Sequence, residues 1–308
     1  MSETRAVVFA YHDVGVRCLK TLLSAGVAVP LVVTVKDDPR EQQWFASVAA
    51  AAADYDLDVM TAEDAHAPEL IRRVTELQPD FLFSFYYRAL LGAPLLRAAR
   101  RGALNMHGSL LPRYRGRAPV NWAILRGERE SGATLHYMVA RADAGDIVDS
   151  QAVPILLDDD AREVFAKVTV AAETVLARSL PALIAGNAPR RPQPILPGEY
   201  FGRRRPEDGR IDWSRPAVEI HNLVRAVAPP FPGAFGAVAG ERWEIHRTRL
   251  AAGVTAPHAA ALFATDGNCY LACGDGMALR LLAAVDARGP IDLRALARQL
   301  AQRPLPLS

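Results

Sequence analysis

Along the first half of the chain, short apolar runs alternate with stretches whose apolar residues recur at helical spacing. Val7–Tyr11, Pro30–Val35, Asp80–Phe85 and Gly102–Met106 are near-continuous apolar runs, the pattern of strands buried on both faces. Between them, Val14–Ala25, the Ala-rich Glu41–Tyr55 and Pro68–Leu77 have helical texture, the last closed by Pro79. This alternation predicts an α/β fold with a mostly parallel sheet covered by helices on both faces. Such sheets bind ligands beyond the carboxyl ends of their strands. That rule singles out Tyr11–Gly15, Phe85–Arg88 and Asn105–Gly116.

The texture then changes. Ala133–Val139 and Ile147–Ile155 read as two strands around a polar turn, Arg141–Asp146, a hairpin added to the sheet. Asp160–Ile184 is a long amphipathic helix, and the Pro-dense run Gly186–Pro197 closes the first domain. A charged connector, Phe201–Trp213, leads to a helix at Glu219–Val227. Short strand patterns follow at Ala234–Val238, Arg242–Thr248, Ala259–Phe263, Cys269–Cys273 and Ala278–Ala283, a small β-barrel-like series before a last helix at Leu293–Gln302.

Composition narrows the classes. A chain of 308 residues favours two domains. A net charge of +2 gives no global pull toward nucleic acid or membrane, and no apolar run reaches the ~20 residues of a membrane span. Lys20, Lys36 and Lys167 are the only lysines; the other basic residues are arginines, planar forks suited to phosphate and carboxylate. Cys18, Cys269 and Cys273 are too few and too odd in number for a disulfide framework. The N-terminus runs straight into a strand pattern without a signal-peptide profile, so a cytoplasmic location is expected.

Two windows carry chemistry. In Leu104–Gly116, LNMHGSLLPRYRG, Asn105 and His107 are two apart, so an extended backbone projects both from one face. An amide can donate to a developing oxyanion and an imidazole can move a proton near neutral pH, a pairing suited to acyl chemistry. A capped turn with a hydrogen-bonded histidine would use the same residues. In Arg141–Val148, RADAGDIV, Asp143 and Asp146 flank Gly145 in a tight turn. Either it is a solvated hairpin turn, or Asp143 meets His107 and the two windows form one site. Arg97, Arg100, Arg101, Arg113, Arg115 and Arg117 cluster in one stretch, and Arg203, Arg204 and Arg205 in another, as a solvated basic face or as anion forks. The turn YHDVG lacks G-x-G-x-x-G, so a dinucleotide cofactor is not indicated.

Together these windows resemble the folate-dependent formyltransferase family. The resemblance rests on N-x-H-G-S-L-L-P at Asn105–Pro112, Y-R-G at Tyr114–Gly116 and D-x-G-x-I at Asp143–Ile147, and runs over essentially the whole chain. VVFAYHDVG, FSFYYR, HGSLLPRYRGRAPVNW, RADAG, FGRR and NLVRAVA are most similar to the branch that formylates UDP-4-amino-4-deoxy-L-arabinose in bifunctional polymyxin-resistance proteins.

The resemblance implies a Rossmann-like catalytic, folate-binding domain over 1–203 and an OB-like domain with its linker over 204–308. It implies 10-formyltetrahydrofolate as co-substrate, no metal, and a nucleotide sugar as formyl acceptor. Asn105 would stabilise the oxyanion, His107 would serve as general acid or base, and Asp143 would support His107. Folate would contact Ala89, Leu90, Leu91, Arg117, Val139, Ala140, Arg141, Ala142 and Asp143. By resemblance and position, Tyr86, Tyr87, Arg203, Arg204 and Arg205 are the sugar-facing candidates. No decarboxylase half follows in this sequence, so that pathway step is expected on a separate polypeptide, within lipid A modification and polymyxin resistance.

The alternatives are a methionyl-tRNA formyltransferase, a dTDP-aminosugar formyltransferase, and a non-catalytic folate or nucleotide module. A tRNA binder needs a broad basic surface, and Pro229–Ser308 contains no lysine. A binding module would not need Asn105, His107 and Asp143 together.

Overall fold

The computed structural model describes residues 3–37, 43–194, 200–256 and 260–308. The chain divides into two compact units: 1–119 with 131–153 and 166–202, and 120–130 with 154–165 and 203–308.

The first unit is built on strands β1 (Arg5–Ala10), β2 (Ala28–Thr34), β3 (Val59–Thr61), β4 (Phe81–Phe85) and β5 (Gly102–His107). Helices α1 (His12–Ser24), α2 (Val48–Ala53), α3 (Pro68–Glu76) and α4 (Ala93–Ala98) connect them. After β5 come β6 (Arg115–Gly116), α5 (Pro119–Leu125), β7 (Glu130–Tyr137), β8 (Ile147–Pro154), α6 (Ala161–Ala185) and β9 (Tyr200–Phe201). The sheet order is β3-β2-β1-β4-β5-β7-β8. The first five strands pair in parallel, and β7 joins β5 antiparallel. Val7, Val8, Phe9, Leu82, Phe83 and Leu104 are fully buried, which is why these strands read as unbroken apolar runs.

The chain builds outward from β1 through β2 to β3, then returns to β4 on the other side of β1. That reversal makes the carboxyl ends of β1 and β4 the switch point of the sheet. There the Tyr11 N–H donates to the Phe85 carbonyl at 3.0 Å.

The second unit holds α7 (Ala217–Ala226) and an antiparallel sheet of β10 (Ala234–Val238), β11 (Glu241–Thr255), β12 (Ala261–Thr265), β13 (Asn268–Ala272) and β14 (Met277–Asp286). β15 (Gly289–Pro290), α8 (Leu293–Leu300) and β16 (Leu305–Pro306) complete it. The order β10-β11-β14-β13-β12-β16 nearly closes on itself, because a bridge joins Val238 to Leu307.

Three readings of the sequence need correction. The helix expected over Glu41–Tyr55 is only Val48–Ala53, although residues 41 and 42 lie outside the described residues. Ser47 caps it through a bond from the Ala50 N–H at 3.3 Å. Before it, Trp44 and Phe45 pack on His12, with ring centroids at 4.5 and 4.0 Å. The arginines between residues 97 and 117 do not form one solvated face. Arg115 is 2% exposed, Arg100 pairs with Asp80, and Arg101 donates to the Leu183 and Ile184 carbonyls. Finally, α6 is long and apolar enough to cross a membrane by length and composition alone; half of that stretch is buried within the protein. Residues 195–197 of the Pro-dense run and Ala259 of a predicted strand lie outside the described residues.

Candidate active site

β5 brings the first chemistry to the edge of the sheet. Alternation along the strand buries Met106 on one face and leaves Asn105 and His107 together on the other. Across the antiparallel pair, Asn105 lies opposite His136 and His107 opposite Thr134. Cross-strand partners share a face, so His136 joins the pair of side chains on β5. Asn105 Nδ2 is 3.1 Å from His136 Nε2. His136 Nδ1 is 2.9 Å from the Tyr137 carbonyl, an acceptor, which puts a ring proton on Nδ1.

The hairpin turn after β7 carries Asp143 back over these residues. Asp143 has φ +53°, a left-handed backbone that a short polar residue tolerates. Two residues on, Gly145 is required by close approach: a Cβ there would sit 2.9 Å from the Tyr137 carbonyl carbon and nearer still to its oxygen. With the turn so tight, Asp143 Oδ1 reaches to 3.5 Å from His107 Nδ1, 3.6 Å from His136 Nε2 and 3.4 Å from Asn105 Nδ2. The Gly116 N–H donates to Oδ2 at 3.0 Å. Burial alone would raise the Asp143 carboxyl pKa. The charge of His107, the His136 contacts and the Gly116 N–H outweigh it and hold the group well below the usual carboxylate range.

His107, 6% exposed, lies between two acceptors. Its Nε2 is 2.9 Å from the Tyr114 carbonyl, and its Nδ1 faces the Asp143 carboxylate. A ring with one N–H satisfies one of these; a ring with two satisfies both. The 3.5 Å approach is longer than an ordinary hydrogen bond.

The segment between His107 and Gly116 serves this geometry. Ser109 Oγ donates to the Arg113 carbonyl at 2.6 Å, and Thr134 Oγ1 donates to the Ser109 carbonyl at 2.7 Å. Gly116 has φ +103°, and a Cβ there would lie 3.0 Å from the Phe201 nitrogen, so β6 runs flush against β9. This aims the Gly116 N–H at Asp143.

The remaining residues singled out from the sequence are placed as follows. Ala89, Leu90 and Leu91 join β4 to α4, and Leu90 is 66% exposed. Arg117 Nη2 donates to the Arg88 carbonyl at 3.1 Å, tying that connection to the segment beside Gly116. Val139, Ala140 and Arg141 are exposed on the turn, with Ala142 half-buried. Tyr86, at φ +58°, packs its ring end on Gly108; Tyr87 donates to the Ala62 carbonyl at 3.1 Å and stacks edge-on against Phe9. Arg203, Arg204 and Arg205 belong to the second unit. There the Arg204 guanidinium lies 5.0 Å from the Trp122 ring centroid and donates to the Asp208 carbonyl. Among the described residues, no group of three His, Cys, Asp or Glu side chains is placed to hold a metal ion. His136 was not singled out from the sequence; the signal for it was cross-strand register with Asn105.

The formyl transferase family model matches residues 7–180, and the model of the formyl transferase C-terminal domain matches residues 204–300. The chain belongs to the formyltransferase family. Several solved structures share the fold. An N-formyltransferase from Helicobacter canadensis, in complex with folinic acid and dTDP-3-aminofucose, superposes at a TM-score of 0.69 with 20% identity, over 91% of this chain and 98% of that one. WlaRD, a sugar 3-N-formyltransferase solved with dTDP and 5-N-formyl-THF, gives 0.72 with 19% identity, over 95% and 99%. HypX from Aquifex aeolicus, with tetrahydrofolic acid, gives 0.63 with 20% identity, over 93% of this chain and 45% of the longer protein.

Proposed function

We propose that this formyltransferase moves a formyl group from 10-formyltetrahydrofolate to the amino group of a nucleotide-linked amino sugar. The observation that carries the reading is the convergence of Asn105, His107 and Asp143 at the carboxyl end of β5, in a chain matched by both formyltransferase family models. The folate carrier fits the residues present. The exposed apolar side chains of Leu90 and Val139 offer ring-packing surface, on segments tied to the Gly116–Asp143 bond.

Transfer forms a C–N bond from the neutral amine to the formyl carbon and breaks the bond to folate N10. One proton leaves the amine and one reaches N10. His107, between Asp143 and the Tyr114 carbonyl, holds and moves that proton. Asn105 Nδ2 carries two amide hydrogens and makes two contacts, 3.1 Å to His136 and 3.4 Å to Asp143. The longer is the one to turn toward the formyl oxygen, a donor worth about 10²–10³ in rate.

Two acceptor classes have support. The windows in the sequence resemble the UDP-4-amino-4-deoxy-L-arabinose branch, which would place the activity in lipid A modification. Two of the structures sharing the fold were solved with dTDP or a dTDP-amino sugar. Formyl transfer should be measured with both classes and with charged initiator tRNA. Turnover confined to the tRNA would refute the amino-sugar reading. His107→Ala should lower kcat by at least ~10²-fold with little change in nucleotide-sugar affinity; near wild-type turnover would remove His107 from the mechanism.

A further inference from the structure

The turn that carries Asp143 is long, left-handed at Asp143 itself and anchored at its base. The Tyr137 N–H donates to the Asp146 carbonyl at 2.9 Å, and the Met138 N–H to the Ala103 carbonyl at 2.7 Å. Its tip is held from elsewhere in the chain. Gln193 Nε2 donates to the Asp143 carbonyl at 3.0 Å and to the Gly145 carbonyl at 2.7 Å. Both partners are acceptors, so the side-chain nitrogen must face them; the flipped amide would set Oε1 against two carbonyl oxygens. Among the described residues Gln193 Oε1 is buried without a partner, so no competing bond from them draws the amide away from the turn.

We propose that Gln193 is a positioning residue for Asp143. It acts through the backbone of the turn and touches no reacting atom. Its own backbone is fixed by the hairpin it serves. Arg191 and Ile147 exchange both N–H···O bonds, at 2.8 and 3.0 Å, and Arg191 Nη2 donates to the Val148 carbonyl. Arg190 lies 3.8 Å over the Tyr137 ring at the base of the turn. The segment after α6 therefore straps the catalytic turn, and Gln193 is where the strap grips it. The consequence for Asp143 follows from geometry. Its carbonyl points at Gln193 while its carboxylate points at His107, Asn105 and the Gly116 N–H, so releasing the carbonyl lets the residue rotate and the carboxylate leave.

The test is Gln193→Met, which keeps length and neutrality and removes both N–H donors. Hydrogen exchange of the Gly116 amide reads the carboxylate's position without any substrate. In the variant, Gly116 exchange should rise at least ~10-fold while the core amides of Phe83 and Leu104 keep wild-type protection. A purely structural role would accelerate all three together. Unchanged Gly116 exchange, or a uniform rise, overturns the proposal. If the Met variant does not fold, Gln193→Ala is read the same way. The kinetic readout rests on the formyl-transfer function proposed above: kcat should fall ~10–100-fold with the KM for the amino sugar within threefold of wild type. A freed Gly116 amide with wild-type kcat also overturns the positioning role. A wild-type enzyme silent toward every amino sugar counts against the function, and the exchange result still decides the clamp.

Discussion

Replacing Gly145 by alanine tests how tightly the turn that carries Asp143 is specified. The new Cβ would stand 2.9 Å from the Tyr137 carbonyl carbon, with the carbonyl oxygen closer still. Ordinary carbon–carbon contacts begin near 3.5 Å, so the turn must retreat from β7 by roughly 1 Å. Both atoms met are main chain in a paired strand, so neither can swing aside. Overpacking of this kind costs about 1–3 kcal/mol of stability, which lowers Tm by a few degrees. Catalysis should suffer more. Asp143 sits two residues away at 3.4–3.6 Å from three partners, and a 1 Å misplacement costs about 10²-fold in rate. Formyl transfer measured well below Tm, on variant whose circular dichroism matches wild type, should show kcat/KM down about 10²-fold. Activity within threefold of wild type would mean that the turn can move without consequence, and that Asp143 is not held for catalysis.

Other outcomes follow from named groups. Asn105→Ala should lower kcat by about 10²–10³ with little effect on KM, in steady-state assays with either nucleotide sugar; a loss below fivefold would remove Asn105 as oxyanion donor. His12 offers a stability test. Burial first, then the Arg88 charge, lowers its pKa from 6.5 to about 3. Because the folded state keeps the ring neutral, this contribution is full above pH 6.5 and lost as pH falls toward 3, at up to about 1.4 kcal/mol per pH unit. Urea unfolding at pH 7 and pH 5 should differ by about 2 kcal/mol more in wild type than in His12→Asn. Asn accepts the left-handed backbone at this position, φ +67°. Equal pH dependence in the two proteins would refute the buried neutral histidine.

The parallel core was legible because strands buried on both faces leave an unbroken apolar signature, and β1, β4 and β5 carry it. β3, three residues of Val-Met-Thr, and α4, six residues beginning Ala-Pro, are too short for any period to register. The false extension of α2 came from alanines that satisfy helical spacing on their own, whereas Trp44 and Phe45 find a better burial on His12 than a helix could give them. In the site, Asn105 and His107 were visible because two residues of one strand share a face. Asp143 was visible as a residue, but its reach to His107 depends on Gly145 and on the fold of a nine-residue turn. His136 and Gln193 were silent. A single histidine in an apolar strand and a glutamine in a Pro-dense run acquire meaning only from register and from bonds spanning 31 and 50 residues.

Among the described residues, His12, Tyr86, Tyr114, Ala118 and Asp143, all in the first unit, keep left-handed backbones, at φ +67, +58, +57, +51 and +53°. Each conformation is disfavoured for an L-residue and persists because its surroundings over-determine it. A backbone held this way is stiff before any substrate arrives, so the entropy of ordering it is spent once, in folding, rather than in every turnover. The same positions limit how the protein can be made more robust. Glycine there would relax the backbone and loosen the shape it enforces, so gains in heat tolerance have to be sought away from them, in the barrel-like unit and on the helices behind the sheet.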